Sequence, residues 1–125
     1  PANENMWHAE QGIHDFIRGY YHFKSADWEG NKPHVLAART ALEWAKMPNY
    51  YIMNLDQGMA ETVAEVMPSA AEIAANQWLP EQELRVYALE YGRTSFQGGL
   101  NSYRMGGTGI GAEEMQVYAD RKSVV

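Results

Sequence analysis

Cysteine is missing from all 125 residues, which removes thiol catalysis, disulfide frameworks and thiolate-bound zinc from consideration. Also missing is any apolar run approaching the roughly 20 residues that cross a bilayer, and the N-terminus has no basic, apolar, small-residue leader pattern. A soluble, cytoplasmic protein with no membrane partner is therefore expected. Bases are scarce: ten Lys and Arg stand against 16 Asp and Glu, a net charge of −6 that disfavours a phosphate-backbone partner, so no nucleic acid is expected. The four histidines, His8, His14, His22 and His34, include no pair at i, i+3 or i+4, which leaves no helix-borne metal site. No metal and no other cofactor is expected, and His14 and His22 read as polar positions on a helix.

What is present suffices for one domain. With 46% apolar and 21% charged residues the composition is that of a folded protein. At 14.1 kDa, area scaling gives about 6,700 Å² of folded surface against about 20,000 Å² for the unfolded chain, so about two thirds can be buried. The chain opens on Pro1 and closes on Ser123-Val124-Val125, where a β-type run begins. These ends suggest a segment of something longer, the alternative being a processed or trimmed small protein.

The periodicity is helical. From Trp7 to Phe23, Ile13, Phe16, Ile17 and Tyr20 form the i, i+3, i+4, i+7 stripe of a half-buried helix, with Glu10, His14 and Arg18 stepping by four on another face. Ser25 to Pro33 has turn composition, in which Trp28 anchors a loop to the core. A second helix is predicted over Leu36 to Met47, ended by Pro48, followed by an irregular stretch from Asn49 to Leu55. Asp56 is placed to cap a helix carrying Met59, Val63, Val66 and Met67 inward as far as Pro68. Ser69-Ala70-Ala71-Glu72 is a capping box opening an Ala-rich helix to about Gln77. Pro80 suits a first helical position, and Leu84, Tyr87, Ala88 and Tyr91 repeat the stripe until Gly92 ends it. Thr94-Ser95-Phe96-Gln97 reads as a second capping box for a short helix through Tyr103, in which Gly98 and Gly99 suggest close approach of another backbone or a ligand. Gly106 to Gly111 matches a phosphate loop only loosely and reads as a flexible connector, with one or two helical turns over Glu113 to Tyr118 and a strand entered at Val124-Val125. The fold class is all-α, about six helices with irregular connections.

The chemistry-bearing residues are few. The elbow Gly-x-Ser/Asp-x-Gly, which holds a hydrolase nucleophile beside two amide donors, does not occur. Carboxylates sit at helix starts or on solvated faces, so no acid/base pair stands out. Phenol does: eight tyrosines against three phenylalanines, a bias toward side chains whose hydroxyl must be placed. Tyr20, Tyr21, Tyr87 and Tyr91 fit core packing.

Glu90-Tyr91-Gly92-Arg93-Thr94-Ser95-Phe96-Gln97-Gly98-Gly99-Leu100-Asn101-Ser102-Tyr103-Arg104 resembles the cap-domain signature of epoxide-hydrolase-like α/β-hydrolases, roughly Arg/Lys-Thr/Ser-Gly-Phe-x-Gly-x-Leu-Asn-Trp-Tyr-Arg. Its tyrosine, one of two lid phenols that donate to the epoxide oxygen, matches Tyr103. The second family tyrosine lies eight residues before the glycine of a Pro-Gly-x-Ala-Glu stretch. Gly58-Met59-Ala60-Glu61 matches that stretch and the count reaches Tyr50, with Tyr51 as its competitor. Ser95 stands where the pattern has glycine, Ser102 where it has tryptophan and Gln57 where it has proline.

The resemblance implies that residues 1–105 form an irregular helical cap (lid) and that residues 106–125 connect it back to a strand of an α/β-hydrolase core not contained in this chain. It implies Tyr50 and Tyr103 as catalytic donors, Tyr51, Met53, Phe96 and Leu100 as substrate-binding residues, and a small apolar epoxide or related ester or halide as substrate. The nucleophile and histidine would come from outside the segment, which alone should be inactive. A lid without its core leaves apolar surface bare, so self-association is expected. The alternative, from another class, is a free-standing helical binding or protein-interaction module whose tyrosines only pack.

Overall fold

The computed structural model describes residues 2–116 and, over them, is all-helical: α1 (Ala2–Trp7), α2 (Gly12–Lys24), α3 (Ala41–Trp44), α4 (Met59–Ala64), α5 (Ala70–Ala75), α6 (Glu81–Thr94), α7 (Gln97–Thr108) and α8 (Ala112–Gln116). The expected strand at Val124-Val125 and the end of the last helical turn at Tyr118 lie outside these residues. Among the described residues no helix is long and apolar enough to cross a membrane.

Helix α2 is the axis on which the fold is built. Its stripe places Phe16, Ile17 and Phe23 in the core with Ala60 and Val63 of α4, Leu79, and Leu84 of α6. Gly19 lets α4 come close: a Cβ there would meet Met67 Sδ at 2.3 Å and Val63 Cγ1 at 2.6 Å. Met59, Val66 and Met67 pack against the same core, as their spacing predicts, and Trp28 anchors its loop edge-on to Phe23 with centroids 4.5 Å apart.

The polar face of α2 is also structural. Arg18, only 5% exposed, donates to Leu79 O at 2.8 Å and to Glu81 Oε2 at 3.2 Å. His14 lies between two carboxylates, its Nδ1 2.8 Å from Asp15 Oδ1 and its Nε2 2.8 Å from Glu81 Oε1. Hydrogen bonding to Asp15 outweighs partial burial and, with Glu81, raises the His14 pKa above its ordinary value. The first turn of α6 is thus clasped to α2.

Helix α1 stitches remote parts together with amide and indole groups. Asn3 Oδ1 accepts from Phe96 N at 2.9 Å, and Trp7 Nε1 donates to Gly92 O at 3.0 Å. Asn5 grips the start of α4, accepting from Ala60 N at 2.9 Å and donating to the Glu61 carboxylate at 2.8 and 2.9 Å. Glu61 also accepts from Gly58 N at 2.8 Å, and a Cβ on Gly58 would meet Asn5 Oδ1 at 2.5 Å. Each residue of Gly58-x-Ala60-Glu61 therefore has a packing reason, Ala60 being buried in the core.

Several boundaries differ from the sequence expectation. The expected Trp7–Phe23 helix is broken between Trp7 and Gly12, where Gly12 has φ 79°. The Leu36–Met47 helix shrinks to one turn, capped by Thr40, because none of residues 24–59 is buried and no core face supports a longer one. Gly58, not Asp56, is the N-cap of α4, since Glu61 and Asn5 satisfy the first amides there. Pro80 caps α6 rather than occupying its first turn, and α6 runs through Gly92 to Thr94. The Ser69 capping box forms as read. The Thr94 box does not, because the Thr94 hydroxyl turns back to Glu90 O at 2.9 Å. Helix α7 passes Tyr103 and includes Gly106 and Gly107; left-handed Gly109 (φ 73°) ends it by donating to Met105 O at 2.9 Å.

Candidate functional site

Of the phenols expected to act, Tyr50 and its competitor Tyr51 meet at Lys24, the last residue of α2. Lys24 Nζ donates to Tyr20 Oη at 3.3 Å, one helical turn back, and stands 5.2, 5.5 and 5.6 Å from the ring centroids of Tyr20, Tyr50 and Tyr51. Partial burial works against the Lys24 charge, but the Tyr20 hydrogen bond and the nearby phenols of Tyr20, Tyr51 and Tyr103 outweigh it and raise its pKa. The ammonium is therefore fully charged at neutral pH, and Tyr103 on α7 lies within its electrostatic reach.

Tyr50 and Tyr51 are in ring contact, centroids 4.7 Å apart, in the irregular stretch after Pro48. Tyr50 points inward, edge-on to Phe23 at 5.0 Å, and its hydroxyl donates to Asn31 Oδ1 at 2.9 Å. Burial raises its pKa, helped by Tyr51 and opposed by Lys24. Tyr51 is 58% exposed and Tyr103 79% exposed, and among the described residues neither hydroxyl makes a hydrogen bond. Met53 is exposed beside them in sequence, and Leu100 is half-buried on α7. Phe96 faces the core, stacked on Tyr91 at 4.5 Å and edge-on to Phe16 at 5.5 Å.

On the other side of Lys24 lies an open cleft of about 430 Å³, bordered by Tyr21, Ser25, Ala26, Asp27 and Trp78. Asp27 Oδ2 there accepts from Trp78 Nε1 at 2.8 Å. A second void, beside Arg18 and His22, holds about 10 Å³, room for about one water. Among the described residues no three His, Asp or Glu side chains are grouped to hold a metal ion. Gly98 and Gly99 face open space: a Cβ on either would meet nothing within 4 Å, so no described part of the chain makes the close approach their presence suggests.

Between α6 and α7 the backbone takes an unusual path. Ser95 has φ 58° and ψ −174°, a combination that glycine alone adopts without strain. Sequence reasoning missed both this strain and the role of Lys24. The first had a signal, the serine standing at a glycine position of the resembled signature; the second had none, because the four tyrosines come from three separate stretches. Comparison of the chain with protein-family models, with curated proteins and with solved structures finds no match in any of the three.

Proposed function

We propose that this chain is the helical lid of an α/β-hydrolase of epoxide-hydrolase type, in which Tyr103 and one of the adjacent Tyr50 and Tyr51 donate hydrogen bonds to the oxygen of a small epoxide-like substrate. The Ser95 backbone carries the reading. The resembled signature has glycine at this position, and φ 58° with ψ −174° is a glycine conformation, so the turn that launches α7 toward Tyr103 has the shape for which such a glycine is needed.

The phenols favour a particular pair. The Tyr50 proton is engaged by Asn31, whereas Tyr51 and Tyr103 have theirs available, which supports Tyr51 as the partner of Tyr103. A phenol with a pKa near 10 is protonated at neutral pH, and two such donors aimed at one oxygen stabilise the alkoxide that develops as the ring opens. By analogy with oxyanion-hole deletions each is worth roughly 2.7 to 4 kcal/mol. The nucleophile and its histidine belong to the core, so the segment binds without turnover.

Exposed surface is consistent with a missing neighbour. Val35, Leu42, Leu55 and Ile110 are among the large exposed apolar residues of the described chain. The coding sequence on both sides of the segment tests the proposal. A Gly-x-Asp-x-Gly elbow upstream and a histidine downstream are expected. A start codon directly before Pro1 with a stop codon directly after Val125 would overturn it and leave a free-standing helical interaction module.

A further inference from the structure

Lys24 differs from the other described bases that have a side-chain partner. Arg18, Lys46, Arg85 and Arg93 each reach a carboxylate. Lys24 reaches none among the described residues, although the chain carries 16 acids against ten bases, and is held instead by the Tyr20 hydroxyl and three phenol rings. The acid on its adjoining cleft, Asp27, is tied to the Trp78 indole. Around this cation stand phenols with protons to give: Tyr20 accepts from Lys24 and keeps its own O–H, while Tyr51, whose ring lies 5.6 Å from Nζ, donates to nothing among the described residues.

A fixed ammonium with several phenolic donors and apolar ring walls is the donor set for an oxyanion attached to an apolar body. One cation in a molecule of net charge −6 suits a single negative charge better than two. We propose that Lys24, with Tyr20 and Tyr51, is a recognition site for a carboxylate borne on an aromatic or apolar body. Taken with the lid reading, on which this last step rests, the substrate is an acid-bearing epoxide or ester rather than a neutral one.

Titration of the 125-residue chain with phenylacetate, followed by NMR of the tyrosine rings and the Lys24 side chain, tests the site without any need for turnover. Saturable binding is expected, with phenylacetamide, which has the same shape but no charge, at least about tenfold weaker. Lys24→Met should weaken phenylacetate by about tenfold or more, and Lys24→Arg should retain most of it, with far-UV circular dichroism unchanged because Lys24 is exposed. Equal binding of acid and amide, or undiminished binding by Lys24→Met, overturns the site. The two proposals fail separately. Lys24-dependent phenylacetate binding by a chain encoded without a hydrolase elbow keeps the site and removes the lid; an encoded elbow with no phenylacetate binding does the reverse.

Discussion

Two stretches that both carry large apolar side chains fold in opposite ways. Residues 12–24 place four apolar or aromatic side chains on one stripe and become the centre of the core, whereas residues 33–57 contain Val35, Leu42, Trp44, Ile52, Met53 and Leu55 and bury none of them. Hydrophobic residues bury when their spacing presents one face to a partner already in place. Residues 33–57 have no such spacing, and among the described residues Tyr50 alone of this stretch packs against the core.

Substitution should expose that contrast most strongly in stability. Phe16→Ala, which opens a void among Phe96, Tyr20 and Leu84, should cost about 3 to 5 kcal/mol in urea unfolding, while Leu55→Ala, at a fully exposed position, should stay within about 0.5 kcal/mol of the parent. If Leu55→Ala were as damaging as Phe16→Ala, the exposed stretch would belong to the core after all. For activity the order reverses. Under the proposed lid role, Tyr103→Phe in the parent enzyme should lower the ring-opening rate by roughly 10²-fold with the fold intact, and Tyr51→Phe by a similar factor, leaving Tyr50→Phe the milder change. A silent Tyr51→Phe beside a severe Tyr50→Phe would return the second donor role to Tyr50.

At the turn between α6 and α7, Ser95→Gly should raise stability by about 1 kcal/mol, because glycine relieves the strained φ; an unchanged or lowered unfolding midpoint would refute the strain. Removal of bare apolar surface by Leu55→Asp should shift the isolated chain toward monomer in sedimentation, and a parent chain already monomeric at high concentration would refute self-association.

The smallest effect concerns the clasp between α2 and α6. The raised pKa of His14 means that its contribution is complete below about 6.5 and is lost as pH rises through the higher folded value. Glu81, lowered mainly by its hydrogen bond to His14, contributes above the ordinary carboxylate range and loses that contribution as pH falls through its folded value. The difference in melting temperature between parent and His14→Gln should thus be largest near pH 5 to 6 and shrink on both sides. A difference that does not change from pH 5.5 to pH 8.5 would show that His14 acts without its charge.

Legibility followed the same divide. The α2 stripe, the inward side chains after Gly58, the Ser69 box and the Trp28 anchor were readable because each depends on neighbours within a few residues. The Leu36–Met47 helix was overestimated because a stop at Pro48 says nothing about whether a core lies within reach of the residues before it. The Thr94 box failed because the Thr94 hydroxyl turns back to Glu90 O and the Gln97 amide goes to Ser95 Oγ, in a turn whose strained Ser95 brings Phe96 N to Asn3. At the candidate site, the surplus of tyrosine over phenylalanine pointed to phenols with a task, but the meeting of Tyr50 and Tyr51 with Lys24 required the loop after Pro48 to fold toward the end of α2.

The hydrogen bonds of α1 carry a consequence for synthesis. Asn3 and Trp7 are synthesised well before their partners Phe96 and Gly92, which follow 93 and 85 residues later. At roughly 5 to 20 residues per second those side chains wait about 4 to 19 seconds for their acceptors and donors, as part of a six-residue helix too short to persist alone. The contacts of α1 are therefore closed late, and a slow codon run between Ala75 and Phe96 would lengthen the time for which the nascent chain holds its core open.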